Sequence, residues 1–187
     1  MHRKLAIKQI AIHAMRAVSR HKRNDVVECE FLSGYEPRDK DIQHYPPALQ
    51  EELCAGEQKY ESSHSIYDPI IIDNIERSYV GAKNEFILQK IQEIRLEKTA
   101  IEGEPESLFA CPCCRYLTLP EENAYDICSV CFWEDDGAIK DEDYSGPNHK
   151  TLKEGRENFS KLGACDEKSK QHVEAEGIYK YHRKWVY

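Results

Sequence analysis

CPCCRYLTLPEENAYDICSVC, residues 111–131, is the stretch from which the rest of the chain is read. It holds two C-x2-C pairs, Cys111 with Cys114 and Cys128 with Cys131, separated by thirteen residues. A C-x2-C turn lets two sulfurs converge on one ion, and zinc, borderline-soft, takes four such thiolates tetrahedrally in structural sites. The spacing therefore predicts a closed tetrathiolate zinc site. YLTL at 116–119 reads as a strand leading towards the second pair.

Two other uses of the cysteines compete with zinc. A disulfide framework fits poorly, because the N-terminus lacks a secretory signal and the eight cysteines are not spread along the chain. A redox turn is the second, since Cys111-Pro112-Cys113-Cys114 looks like the active-site turn of a glutaredoxin. A redox domain needs a βαβ context after that turn, and here the following residues are turn-rich and acidic. Cys113 sits at the variable position of its knuckle and stays open as a spare thiol or an alternative ligand.

CPCCRYLTL, then YDICSVCFWEDDG at 125–137, GPN at 146–148 and LKEGRENFSKLGAC at 152–165 together resemble the bacterial cysteine-rich CPCC family, over about residues 108–167. The resemblance carries the ligand role onto Cys111, Cys114, Cys128 and Cys131, and carries over no catalytic residue. It also implies an immunity protein of a polymorphic toxin system. The chain departs from the family pattern at Arg115, where Gly is usual; Gly reaches positive φ at no steric cost, so the turn behind the first ligand pair is in question.

The 187 residues are 40% hydrophobic and 32% charged, a soluble globular composition with room for one domain and a small metal module. No apolar run approaches the ~20 residues that span a bilayer, and the amphipathic N-terminus is not a signal peptide. A reducing cytoplasm is the expected compartment. The net charge is −8, and residues 121–143 account for all of it: nine acids against the single base Lys140. Phosphate backbones are repelled by such a surface. It is either a solvated face or a docking surface for a basic partner, with Glu134, Asp135, Asp136, Asp141, Glu142 and Asp143 as the expected contacts.

Upstream, Ile7, Ile10, Ala11, Ala14, Met15 and Val18 recur at helical spacing over 3–18, with His13 on the helix flank. Residues 19–30 are ambiguous between strand and helix, and 35–40 form a loop. A short helix opens at Pro46-Pro47 and closes by Cys54 and Gly56. Cys29 and Cys54 are expected as small buried hydrophobes. Two further helices follow, from Asp68-Pro69 to about Gly81, and from an Asn84 cap to Glu97 and Lys98. Residues 101–107, IEGEPES, read as a linker. After the cysteines, Leu152, Phe159 and Leu162 mark a helix stopped by Gly163, and the aromatic, basic C-terminus reads as an extra strand or a docked tail.

Other motifs fail on chemistry. Residues 141–146 open like a calcium loop, but the twelfth position is Leu152 where a bidentate Glu is required. His172-Val173-Glu174 has deaminase spacing in the wrong order relative to the cysteines. His149 and Cys165 could substitute as metal ligands, although four cysteines already close the tetrahedron. Phe132 and Trp133 are expected in the core of the module.

The expected architecture is α+β: a helical domain over 1–100, a linker at 101–107, and a zinc-ribbon domain with C-terminal helix and tail over 108–187. The expected function is that of a non-enzymatic zinc-binding immunity protein, inhibiting a cognate toxin, a basic nuclease, through its acidic surface. A zinc-ribbon nucleic-acid or transcription-associated protein and a CxxC redox protein are the alternatives.

Overall fold

The computed structural model describes residues 1–94 and 100–184. Among them are seven α-helices, five of which precede residue 95, and two small antiparallel sheets between 109 and 151, an α+β composition. The chain divides into two compact units, Met1–Val80 with Leu88–Glu102, and Gly81–Ile87 with Gly103–Tyr187. No helix among the described residues is long and apolar enough to cross a membrane.

In the first unit, helix α1 (Arg3–Met15) starts where the His2 ring nitrogen accepts the Lys4 N–H, and it buries Ile7, Ile10 and Ala11 of the expected stripe together with Ala6, while Ala14 and Met15 are half-buried and Val18 lies beyond the helix. The ambiguous stretch after it is helix α2 (Arg20–Leu32): Ser19 accepts the Lys22 N–H, and such a cap settles a segment whose periodicity is short. Helix α3 (Pro47–Ala55) has Pro in its first turn and ends at Gly56 in the left-handed region. Helices α4 (Asp68–Ser78) and α5 (Asn84–Ile94) follow; Glu97 and Lys98, the expected end of α5, lie outside the described residues.

Val26 and Val27 of α2 pack with Ile42, Tyr45, Leu49, Leu53, Tyr67, Ile70 and Ile71. The charges that this core encloses are paired. Arg23 reaches Asp68 at 2.7 Å and the Ser62 carbonyl at 3.0 Å, and the Tyr67 hydroxyl donates to Glu52 at 2.6 Å. Cys29 corrects the sequence reading: it is exposed, because Arg23, Val26, Val27 and Glu30 form the inward stripe of α2 and leave position 29 outside it. Cys54 is half-buried.

The second unit is built on the cysteines. Strands β1 (Phe109–Ala110) and β2 (Leu117–Leu119) pair antiparallel around the first knuckle, with a register shift between Phe109 and Ala110. Strands β3 (Tyr144–Ser145) and β4 (Lys150–Thr151) form a second hairpin. Helix α6 (Leu152–Leu162) begins in a reciprocal capping box, Thr151 with Glu154, and stops at Gly163, φ 75°. Trp133 is fully buried against α6 at Gly155, where a Cβ would stand 2.6 Å from the indole Cζ3. Gly155, which costs helix propensity, is thus what lets the ring approach. A last short helix, α7 (Gly177–Lys180), precedes a tail that does pair: Leu117 N–H donates to His182 O at 2.9 Å, and Lys184 N–H to Arg115 O at 2.8 Å.

Residues 101–107, expected as a linker, carry the boundary between units and are hydrogen-bonded on both sides of it. Glu102 exchanges backbone bonds with Met1 and Arg3, while in the second unit Gly103 O accepts from Asn84 and Glu106 accepts from Gly81 N.

Candidate metal centre

The two knuckles are built alike. In the first, Arg115 N–H donates to Cys111 O at 2.9 Å and Cys111 N–H to Tyr116 O at 2.9 Å. In the second, Phe132 N–H donates to Cys128 O at 2.7 Å and Cys128 N–H to Trp133 O at 2.9 Å. In each, the residue after the second cysteine is left-handed: Arg115 at φ 70° and Phe132 at φ 65°. Such a turn brings both sulfurs of a C-x2-C pair to one side. The position at which the sequence departs from the Gly of the family it resembles is therefore one where the backbone calls for it, and an L side chain there costs about 1–2 kcal/mol.

The four sulfurs converge. Cys111 and Cys131 Sγ are 3.6 Å apart, Cys114 and Cys128 Sγ 3.5 Å, and all four lie within 4.8 Å of one another. A tetrahedron with metal–sulfur bonds of about 2.3 Å has edges of about 3.8 Å, so the group is sized for one ion and too open for disulfides. All four cysteines are fully buried. Burial pushes the thiols of Cys111, Cys114 and Cys131 well up. Cys128 goes well down, because hydrogen bonds from the other three sulfurs and from Thr118 outweigh its burial. The enclosure can therefore hold several thiolates only if a cation lies between them. The donor set fits a thiophilic dication such as zinc.

An outer layer holds the knuckles. The Thr118 hydroxyl donates to Cys128 Sγ at 3.1 Å. From α6, Arg156 donates from Nε and Nη2 to Pro112 O at 3.1 and 3.0 Å, and Arg183 Nε donates to Cys114 O at 3.1 Å. The second knuckle is held by Cys165 N–H on Cys131 O at 2.7 Å and Glu174 N–H on Ser129 O at 2.8 Å. These partners were not read from sequence. A single Arg, Thr or backbone N–H at long separation leaves no spacing signal, and Asn148 entered only as part of the GPN segment of the resemblance. It is buried, clamping Glu134 from both sides: Glu134 N–H donates to its Oδ1 at 3.0 Å and its Nδ2 to Glu134 O at 2.8 Å.

The three residues left open as extra ligands stand outside the group of four among the described residues. Cys113 is buried beside Gly155, Cys165 is buried with its thiol on Phe132 O and Ser169, and His149 is exposed. The six acids expected at a partner surface are divided. Asp141 and Glu142 are exposed, and Asp141 ion-pairs with Arg156. Glu134, Asp136 and Asp143 are half-buried, and Asp143, held below the usual carboxylate range by the N–H groups of Lys140 and Ile139, closes its own turn. Asp135 is a correction: it is buried, accepting the N–H groups of Asn123 at 2.9 Å and Gly137 at 3.4 Å, and so staples the loop before the second knuckle. Glu121 and Glu122 are exposed on that loop.

Compared with known families, residues 109–177 match the one described as cysteine-rich CPCC. The matched span contains both knuckles, α6 and the Asn148 clamp, and leaves the helical unit outside. No curated protein and no solved structure matches the chain.

Proposed function

We propose, from that family match and the closed thiolate group, that this is a non-enzymatic zinc-binding protein acting through its surface, an immunity protein that binds and inhibits a cognate bacterial toxin. The observation that carries the non-catalytic reading is the complete burial of Cys111, Cys114, Cys128 and Cys131. Hydrolytic zinc needs an open coordination position and access for water. Four buried sulfurs leave neither, so the ion's work is structural. In a module whose strands are two or three residues long, the metal supplies folding free energy that so small a core lacks.

The partner reading rests on charge. Exposed Glu121, Glu122 and Glu142 belong to the segment that carries the whole net charge, and a basic nuclease is the partner whose potential complements it. Steering of that kind raises association rates and weakens with salt. The test is low-salt co-purification of the tagged protein from its own cytoplasm, with identification of what is bound and assay of its nuclease activity. A stoichiometric basic nuclease that the protein silences, and that associates more slowly with a Glu121→Lys, Glu122→Lys, Glu142→Lys variant, is expected. Recovery of nucleic acid in place of a nuclease would overturn this reading and favour a nucleic-acid-binding ribbon.

A further inference from the structure

Against the acidic background of the chain, one concavity of the second unit is cationic. Arg115, Arg156 and Arg183 line a pocket of about 420 Å3 together with Cys113, Phe159 and Ser160. Its volume falls among those of small-molecule sites, about 300–1,000 Å3. Two of the three guanidinium groups are fixed in place by the fold. Arg156 is anchored on Pro112 O and on Asp141, and Arg183 on Cys114 O, with its guanidinium over the Tyr116 and Phe159 rings at 5.5 and 5.9 Å.

Arg115 differs from both. Its guanidinium makes no hydrogen bond or ion pair among the described residues, although it is half-buried beside two other cations. Its backbone holds φ 70°, where glycine would be unstrained. That conformation belongs to the knuckle turn, as at Phe132, and what sets Arg115 apart is its side chain, a guanidinium with no hydrogen bond or ion pair among the described residues at a pocket that already holds two others.

We propose that this pocket binds a phosphate monoester of a small molecule. Arg115 supplies the uncommitted guanidinium for the oxyanion, Arg156 and Arg183 add fixed positive charge, and the Phe159 ring faces the ester's apolar or aromatic group. Planar guanidinium groups match phosphate oxygens in bidentate geometry, and no acid lines this pocket, although Asp141 pairs with Arg156 and the adjoining cleft that Arg115 and Arg156 share is lined by Glu122 and Asp135. The site is independent of the toxin reading, since Glu121, Glu122 and Glu142, the acids on which that reading rests, do not line it.

The experiment is a titration of the purified full chain, labelled with nitrogen-15 in arginine, with phenyl phosphate and separately with inorganic phosphate. Saturable shifts of the Arg115 Nε–H signal are expected, with phenyl phosphate the tighter probe and both weakened by salt. Arg115→Gly is the decisive variant, because it relieves the backbone while removing the charge. It is expected to be at least as stable as the parent and to bind phenyl phosphate roughly ten- to a hundredfold more weakly. Asp141→Asn, which frees one edge of Arg156, is expected to tighten binding. Absence of saturable binding of either probe below about 10 mM, or unchanged affinity in Arg115→Gly, would overturn the site. Equal affinity for the two probes would overturn the ester and leave a free-phosphate site.

Discussion

Gly155→Ala puts the packing of the metal module to a test of sign. On a solvent-facing helix this change stabilises by about 1 kcal/mol, because alanine has the better helix propensity. Here the new Cβ would meet Trp133 Cζ3 at 2.6 Å, Cε3 at 2.9 Å and Cys113 Sγ at 3.4 Å. Carbon atoms pack at about 3.5–4.0 Å, so the ring or the helix must move by roughly 1 Å. Trp133 is fully buried and cannot swing outward, and Cys113 beside it is itself buried and adjoins Cys114 of the four-sulfur group in the chain. Overpacking of this kind costs about 1–3 kcal/mol, which exceeds the propensity gain at most of its range. Net destabilisation of up to about 2 kcal/mol is therefore expected. The assay is urea denaturation of the metal-loaded protein followed by near-ultraviolet circular dichroism, with the slope compared to confirm that only stability changed. A variant about 1 kcal/mol more stable than the parent would show that α6 does not lie on Trp133, and would refute the packing described above.

Three further outcomes follow from the same structure. Cys128→Ser should abolish stoichiometric metal binding and unfold the second unit, whereas Cys113→Ser should keep the metal; metal analysis with circular dichroism separates the two. Thr118→Val removes the hydroxyl on Cys128 Sγ and should weaken metal affinity about 10- to 100-fold in a chelator competition, without loss of the fold. In the helical unit, burial and then Asp73 raise the Glu76 carboxyl above its ordinary 4.5, so the folded state disfavours its ionised form. The ionised acid therefore weakens the fold above its folded pKa, and protonation removes that penalty as pH falls. Glu76→Gln should stabilise at pH 7, modestly because solvent screens a partly exposed group, and the gain should vanish below about pH 4; a gain that persists in acid would place its origin elsewhere.

The parts of this structure that were legible in sequence are those with a local signal. The C-x2-C pairs predicted convergence because a turn of four residues fixes two sulfurs by itself. The stripe of α1, the Pro opening of α3 and the Gly163 stop were read from 3.6-residue spacing and backbone chemistry. Asp135 was misread because a run of acids looks alike in sequence, while its burial depends on two N–H groups, from Asn123 and Gly137, that the fold brings to it. Cys29 was misplaced for a related reason: residue type favours burial, but the phase of α2 places it outside. The roles of Arg156 and Thr118 depend on pairings 44 and 10 residues apart, which composition does not encode. Gly155 lowers the helix propensity of α6, and only the fold shows that Trp133 occupies the space of its missing side chain.

The central claim is that one structural zinc ion sits among four thiolates, and zinc analysis combined with X-ray absorption at the metal edge of the purified full chain tests it most directly. The account predicts one zinc per chain, with a first shell of four sulfurs at about 2.3 Å and no light-atom ligand. A chain that folds without stoichiometric metal, or a shell containing oxygen or nitrogen in place of one of Cys111, Cys114, Cys128 and Cys131, would contradict it.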